Sequence, residues 1–453
     1  MINYFLIILL ITIGLAPMIR EGFKGRFDFF NAKNPFIIYY IIQLGIVGFI
    51  TLYTGKSSEI ALDPIVYADE YTRALLISTA GLVVFHTGYY AHGRSFLPLP
   101  LILRVEWEKK RVVFIVILYF AVAAISFLTL LHINGGVVSF LEGREAWRAG
   151  GLKGQGFLIF PATGLAVIAV LVNLLSKVIN NGERKKRFWV TSFILLILSS
   201  IAPITMGFRS AIALPIIQFM LIWHLAYRKI KTKNLILASL FIITGFTLYG
   251  IIREIPTGVD LNSAALKRIV IENPELAYGI VSRSKGTEVV ASVIHKLDET
   301  KEYEFGWRGL VEALTIIIPK SIWENKPAPV GERFTTYFFG DALRLLRGSE
   351  QEVWGGISPT AVGELYWHFG WIGVLIGLYV LGKIIRITYN TVLHHARNKG
   401  VLLIYAILYT SFAMFAETFQ GYVNGIMINS VFIIFTILIL VVKVANDGEK
   451  SAQ

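Results

Sequence analysis

The chain has 453 residues, of which 55% are hydrophobic and only 16% charged, with a mean hydropathy of +0.63. A soluble domain carries about a quarter charged residues, so this composition argues against a soluble fold and for a polytopic, all-α membrane protein. Cysteine is absent, which removes disulfides, thiol catalysis and thiolate metal sites, and the net charge of +13 falls in clusters between apolar runs rather than in a nucleic-acid-binding patch.

The first 19 residues are apolar with no basic residue ahead of them, unlike a cleavable signal peptide, and are expected to be a retained span. Apolar runs then recur at 36–53, 74–90, 112–132, 157–175, 188–205, 210–227 and 234–252, and after a long gap at 367–384, 401–416 and 425–442. Each is near the roughly 17–25 residues that cross a bilayer as a helix, giving about eleven spans. Three blocks result: an N-terminal membrane bundle over 1–252, one large outer loop over 253–356, and a C-terminal bundle with a short tail over 357–453.

The connections alternate in charge. Arg20, Lys24, Arg26 and Lys33 form one basic group, followed by Arg104 to Arg111, Arg184 to Arg187, Arg228 to Lys233, and Lys383 to Lys399. The intervening connections balance their basic residues with acids. Since cytoplasmic loops concentrate Lys and Arg, the N-terminus is expected outside and the C-terminus in the cytoplasm of a plasma (inner) membrane. The two halves lack paired Gly/Pro-broken segments, which weakens a reading as a duplicated transporter.

Chemistry-bearing residues gather on the outer side of this topology. Arg144 and Arg148 stand four apart, so one helical face would offer two guanidiniums, a pair that suits phosphate or pyrophosphate better than a hydroxyl. The alternative is that they pair with Glu142 and Glu145. Arg209 opens a span in a tight outer turn, where its charge adds to that of a helix N-terminus, as an anion site or by snorkelling to lipid phosphate. The 253–356 stretch has too many aromatic and aliphatic residues for a disordered linker. It begins with an expected amphipathic helix at 261–272, carries Arg283, Glu288, His295 and Arg333, and includes an apolar run at 310–318. Trp307 and Trp323, with Tyr366 just beyond, suit the apolar faces of sugar rings or, equally, the core of the loop. Finally, Gly356 to Gly370 brackets a short helix-like piece that places Glu364 at the membrane surface, a carboxylate able to act as general base or to pair with an outer arginine. Glu417, at the outer end of the 401–416 run, is a weaker candidate for either role.

Three pieces carry a family resemblance: Gly207-Phe208-Arg209 opening a span, Pro319-Lys320-Ser321-Ile322-Trp323 with Lys326-Pro327, and Ile357-Ser358-Pro359-Thr360 with Gly363. With the layout of many spans, one late outer loop and a few closing spans, the chain resembles bacterial O-antigen and oligosaccharide repeat-unit polymerases of the Wzy type. It departs from that pattern at Phe208, where a small residue is expected.

The resemblance implies a GT-C-like, metal-independent membrane glycosyltransferase without cofactor. It would take a glycan chain from undecaprenyl pyrophosphate and place it on the non-reducing end of another lipid-linked repeat. The implied partners are these lipid-linked oligosaccharides, membrane lipid and a chain-length regulating co-polymerase, and no nucleic acid. In that reading Glu364 and Glu288 are the candidate catalytic carboxylates, and Arg144, Arg148, Arg209, Arg283 and Arg333 bind pyrophosphate. Trp307, Trp323 and Tyr366 bind sugar, and the long loop closes as a lid. The competing readings are an O-antigen ligase with the same donor, which would draw on a histidine such as His295, and a lipid-linked oligosaccharide flippase.

Overall fold

The computed structural model describes residues 1–54, 63–93, 96–104, 106–142, 155–181, 186–206, 210–231, 233–235, 237–240, 244, 286–315, 318, 322–323, 325–347 and 357–441. The described residues form helices, turns and irregular segments with no strand. Arg144, Arg148, Arg209 and Arg283 lie outside them, as does the expected helix at 261–272.

Six helices among the described residues are long and apolar enough to cross a bilayer: Ile2–Phe23, Lys33–Tyr53, Lys109–Ile133, Phe157–Val178, Ala361–His394 and Phe419–Leu440. Val190–Thr205, Ala213–Tyr227 and Lys399–Met414 are shorter apolar helices. The 74–90 run is helical within Ala68–Tyr90 but is not one of the six, since Ser78, Thr79, His86 and Thr87 dilute its hydropathy. Several of the long helices leave apolar stripes uncovered. On Ala361–His394, Ile372, Ile376, Val380 and Ile384 recur every four residues and are all exposed, the pattern of a face meant for hydrocarbon rather than water.

The chain forms two compact units, each assembled from separate segments. The first comprises Met1–Phe96, Lys267–Asn390 and Ser411–Met427. Its helices are α1 (Ile2–Phe23), α2 (Lys33–Tyr40), which continues through a π-helical stretch Ile41–Ile46 into α3 (Val47–Thr54), and α4 (Ala68–Tyr90). The second comprises Leu97–Leu266, Thr391–Thr410 and Ile428–Gln453. It holds α5 (Lys109–Ile133), α6 (Gly136–Glu142), α7 (Gly156–Phe160), α8 (Ala166–Asn181), α9 (Lys186–Thr205) and α10 (Ser210–Ile222). In this second unit α8 buries most of its length, including Ala169, Leu171, Val172, Leu174 and Leu175, with α5, α9 and α10 packed around it.

Further along the chain come α11 (Thr287–Thr300), α12 (Trp307–Thr315), α13 (Val330–Arg347), α14 (Ala361–His394), α15 (Lys399–Met414) and α16 (Phe419–Val441). The first three lie in the stretch expected as an outer loop, and α11 is a core helix of the first unit. Its Val289, Val290, Val293, Ile294 and Leu297 form one helical stripe, all fully buried, and α11 packs along α4. Each such side chain contributes roughly 1.5–3 kcal/mol relative to exposure in water. Elsewhere in this unit α4 and α14 touch backbone to backbone. A Cβ at Gly88 would lie 2.1 Å from the Tyr379 carbonyl oxygen, so only glycine permits the contact.

Candidate functional site

The site lies within the first unit and starts from the segment before α14. Thr360 is buried and holds φ at +59°, an outlier for a β-branched residue, and its Oγ1 accepts the Gly363 N–H at 3.0 Å. This cap starts α14 where a side-chain oxygen can replace the missing intrahelical acceptor. Neighbouring backbone is pinned as well: the Ile357 N–H donates to Thr335 Oγ1 at 2.7 Å, the Ala361 N–H donates to the Ala416 carbonyl at 2.9 Å, and Ser358 donates to the Glu417 carbonyl. Backbone strain retained under such anchoring is common at functional positions. One helical stretch later α14 breaks at Phe369 and Gly370, whose φ of +62° and ψ of −151° suit glycine alone. The short piece between cap and break presents Glu364 and His368, four residues apart, to one cavity.

Glu364 is 1% exposed. Its Oε2 accepts from Thr418 Oγ1 and its Oε1 from the Gln420 N–H, both at 2.7 Å. Those donors belong to the start of α16, where backbone N–H groups lack helical partners and carry partial positive charge. The carboxylate therefore caps α16 from outside while also lining a cavity of about 400 Å³ with His368, Gln420, Phe305, Phe369 and Phe419.

Gln420 links this carboxylate to a second one. Its Nε2 donates to Glu312 Oε2 at 2.6 Å and to the Gly309 carbonyl at 2.8 Å. Asn424, one turn further along α16, donates to Glu312 Oε1 at 2.6 Å. Glu312 is 1% exposed, and burial pushes its carboxyl up to about 7, opposed by the bonds from Asn424 and the Val330 backbone and reinforced by the nearby Glu364. Its contact with Arg333 Nη2, at 3.5 Å, is too long to offset that burial.

Lys326 acts on Glu312 from further away, and Arg333 is the cation hydrogen-bonded within this group. It pairs with Glu304, reaches Glu312 Oε2 at 3.5 Å and Gln420 Oε1 at 3.4 Å, and donates Nε–H to the Ala328 carbonyl at 2.9 Å. Its N–H groups are thus already directed at protein acceptors, so an external anion would bind there by displacing Glu304 or Glu312. His368 completes the chain, with Nδ1 3.5 Å from Glu304 Oε2.

The other expected site residues are distributed differently. Glu288, in the first turn of α11, is buried and lines neither this cavity nor the polar cavity described below. Tyr366 is buried and hydrogen-bonded to Arg73. Trp323 is half-buried in a turn closed by the Lys326 N–H on its carbonyl at 3.1 Å, and Trp307 opens α12. His295 has both ring nitrogens against carboxylates, Glu70 at 3.2 Å and Glu299 at 3.3 Å. Glu417, raised by burial, accepts from Tyr39 at 3.3 Å. Among the described residues, no group of three or more acidic or histidine side chains is placed to hold a metal ion.

The residues that sequence reasoning missed are Glu304, Glu312, Gln420 and Asn424. Two signals were present: a lone carboxylate inside the 310–318 apolar run, and two amides four apart, Gln420 and Asn424, at the start of a mostly apolar helix. Compared with known proteins, the chain matches no family model, no curated protein and no solved structure.

Proposed function

We propose that the chain is a membrane glycosyltransferase that polymerises lipid-linked repeat units. In this reading about eleven spans, in a GT-C-like arrangement with the N-terminus outside, place the site at the outer face of the inner membrane. The observation that carries the reading is Glu364, a buried carboxylate that lines a cavity with His368 and is held by the start of α16.

The acceptor sugar hydroxyl attacks the anomeric carbon of the donor glycan and a new C–O bond forms. The bond from that carbon to the pyrophosphate oxygen breaks, and undecaprenyl pyrophosphate leaves with the electron pair. Glu364 takes the proton of the attacking hydroxyl, a role suited to a carboxylate that lines the cavity beside His368. Arg144, Arg148, Arg209 and Arg283 hold the departing pyrophosphate, and charge-assisted bonds of roughly 1.5–3 kcal/mol each make such arginines count in the transition state. A chain-length regulating co-polymerase is the expected protein partner.

The test is the glycan profile of a deletion strain, complemented with wild type or Glu364→Gln. Deletion is expected to leave single repeats and no ladder. The variant is expected to restore protein to the membrane but no ladder. Loss of all attached glycan on deletion would replace this reading with ligase or flippase, and a normal ladder from Glu364→Gln would remove that residue as the base.

A further inference from the structure

A second cavity of the first unit, about 610 Å³, lies between α11, α12, α13 and the start of α14. Its volume is in the range of small-ligand sites. Among the described lining residues it has three cations, Lys296, Arg308 and Arg333, and three carboxylates, Glu302, Glu304 and Glu332. The charges therefore balance. They are not all spent on one another: Arg333 is taken by Glu304 and Glu312, and Glu302 accepts from Tyr337 at 3.0 Å. No ion pair among the described residues engages Lys296, Arg308 or Glu332.

This balance discriminates between ligands. A phosphate or pyrophosphate site needs surplus positive charge, and a hydrocarbon site would leave these groups unpaired. A hydroxyl both donates and accepts, so a polyhydroxylated ring can use carboxylates and cations together at no net charge. On its wall the Trp367 indole lies nearly parallel to the Tyr337 ring at 5.9 Å and to the His368 ring at 5.5 Å.

We propose that this cavity is a subsite for an uncharged saccharide unit, with Lys296, Arg308 and Glu332 as its specificity-determining residues. The assignment rests on the glycosyltransferase reading for the identity of the glycan. It adds to that reading a place and a charge preference, separate from the Glu364 cavity.

The experiment uses the full-length protein in lipid nanodiscs. The probes are oligosaccharides from partial acid hydrolysis of the source cell's own surface polysaccharide, separated into neutral and acidic fractions, with inorganic pyrophosphate as competitor. Binding is followed by calorimetry for wild type, Arg308→Gln and Glu332→Gln. Saturable binding of the neutral fraction is expected, weakened about tenfold by either variant, since a site built to bond hydroxyls loses affinity when a partner is removed. Pyrophosphate is not expected to compete.

No binding of the neutral fraction overturns the proposal. So does unchanged binding in both Arg308→Gln and Glu332→Gln at unchanged thermal unfolding, as would displacement by pyrophosphate or preference for the acidic fraction. The deletion strain's glycan profile judges the polymerase reading independently, so the two failures are distinguishable.

Discussion

Two of the charged clusters buried among the described residues of the first unit are built on opposite plans. Lys33, which opens α2, is 0% exposed and pairs with Glu21 near the end of α1, whose side chain is 24% exposed. The Tyr90 hydroxyl accepts from Lys33 Nζ and donates to Glu21 Oε1, each at 3.0 Å, and Tyr89 lies beneath the ammonium. Around Arg333 the count is uneven: one guanidinium at 12% exposure faces Glu304 and Glu312, with Glu364 close enough to perturb it. The first group is neutral and closed on itself. The second holds excess carboxylate and opens onto two cavities. Buried unpaired charge is expensive, so a fold that keeps it has a use for it beyond stability.

Replacing each cation by the same residue breaks or sharpens this contrast. Arg333→Met removes the cation paired with Glu304 and in contact with Glu312, and the expected cost is about 3–5 kcal/mol, with the ladder lost. Thermal unfolding in detergent and the surface glycan profile read both effects. Lys33→Met, by contrast, leaves Glu21 free to turn to solvent, so a change within about 1 kcal/mol and an intact ladder are expected. Comparable losses in the two variants would erase the distinction between a structural and a functional group.

Between these in size stands the pH dependence of Glu312. Its carboxyl is raised from 4.5 to about 7 in the folded protein, so the folded state holds the proton more tightly than the unfolded. That contribution is complete below about pH 4.5 and is lost as pH rises through 7, an effect of order 1–3 kcal/mol. Glu312→Gln, which cannot titrate, is expected to flatten the fall in unfolding temperature between pH 5 and pH 8. An unchanged slope in that variant would assign the dependence to another group.

Part of this site was legible in the chain. Ile357-Ser358-Pro359-Thr360 announced a turn before a helix, and Glu364 followed on a piece bracketed by glycine and proline; the cap at Thr360 and the break at Phe369-Gly370 give that piece its limits. Glu312 was hidden because it lies inside a run that reads as apolar, and its partners Gln420 and Asn424 are 108 and 112 residues away. No local pattern links groups at that separation. The polar content of the stretch after residue 253 marks it off from the spans and suggests a lid, whereas its α11 is buried along α4. The buried face of α11 has helical period but is interleaved with Lys296, Asp298 and Glu299, and composition averages the two faces together.

By itself the sequence determined the all-helical, membrane-suited character of this protein, because hydropathy and helical period are local and survive without knowledge of any neighbour. Only the tertiary structure decided which carboxylates are buried and which cation they share. That depends on Glu304, Glu312, Arg333, Glu364 and Gln420 being carried to one place by four different helices and a turn, where the desolvation of charge is set by everything around it.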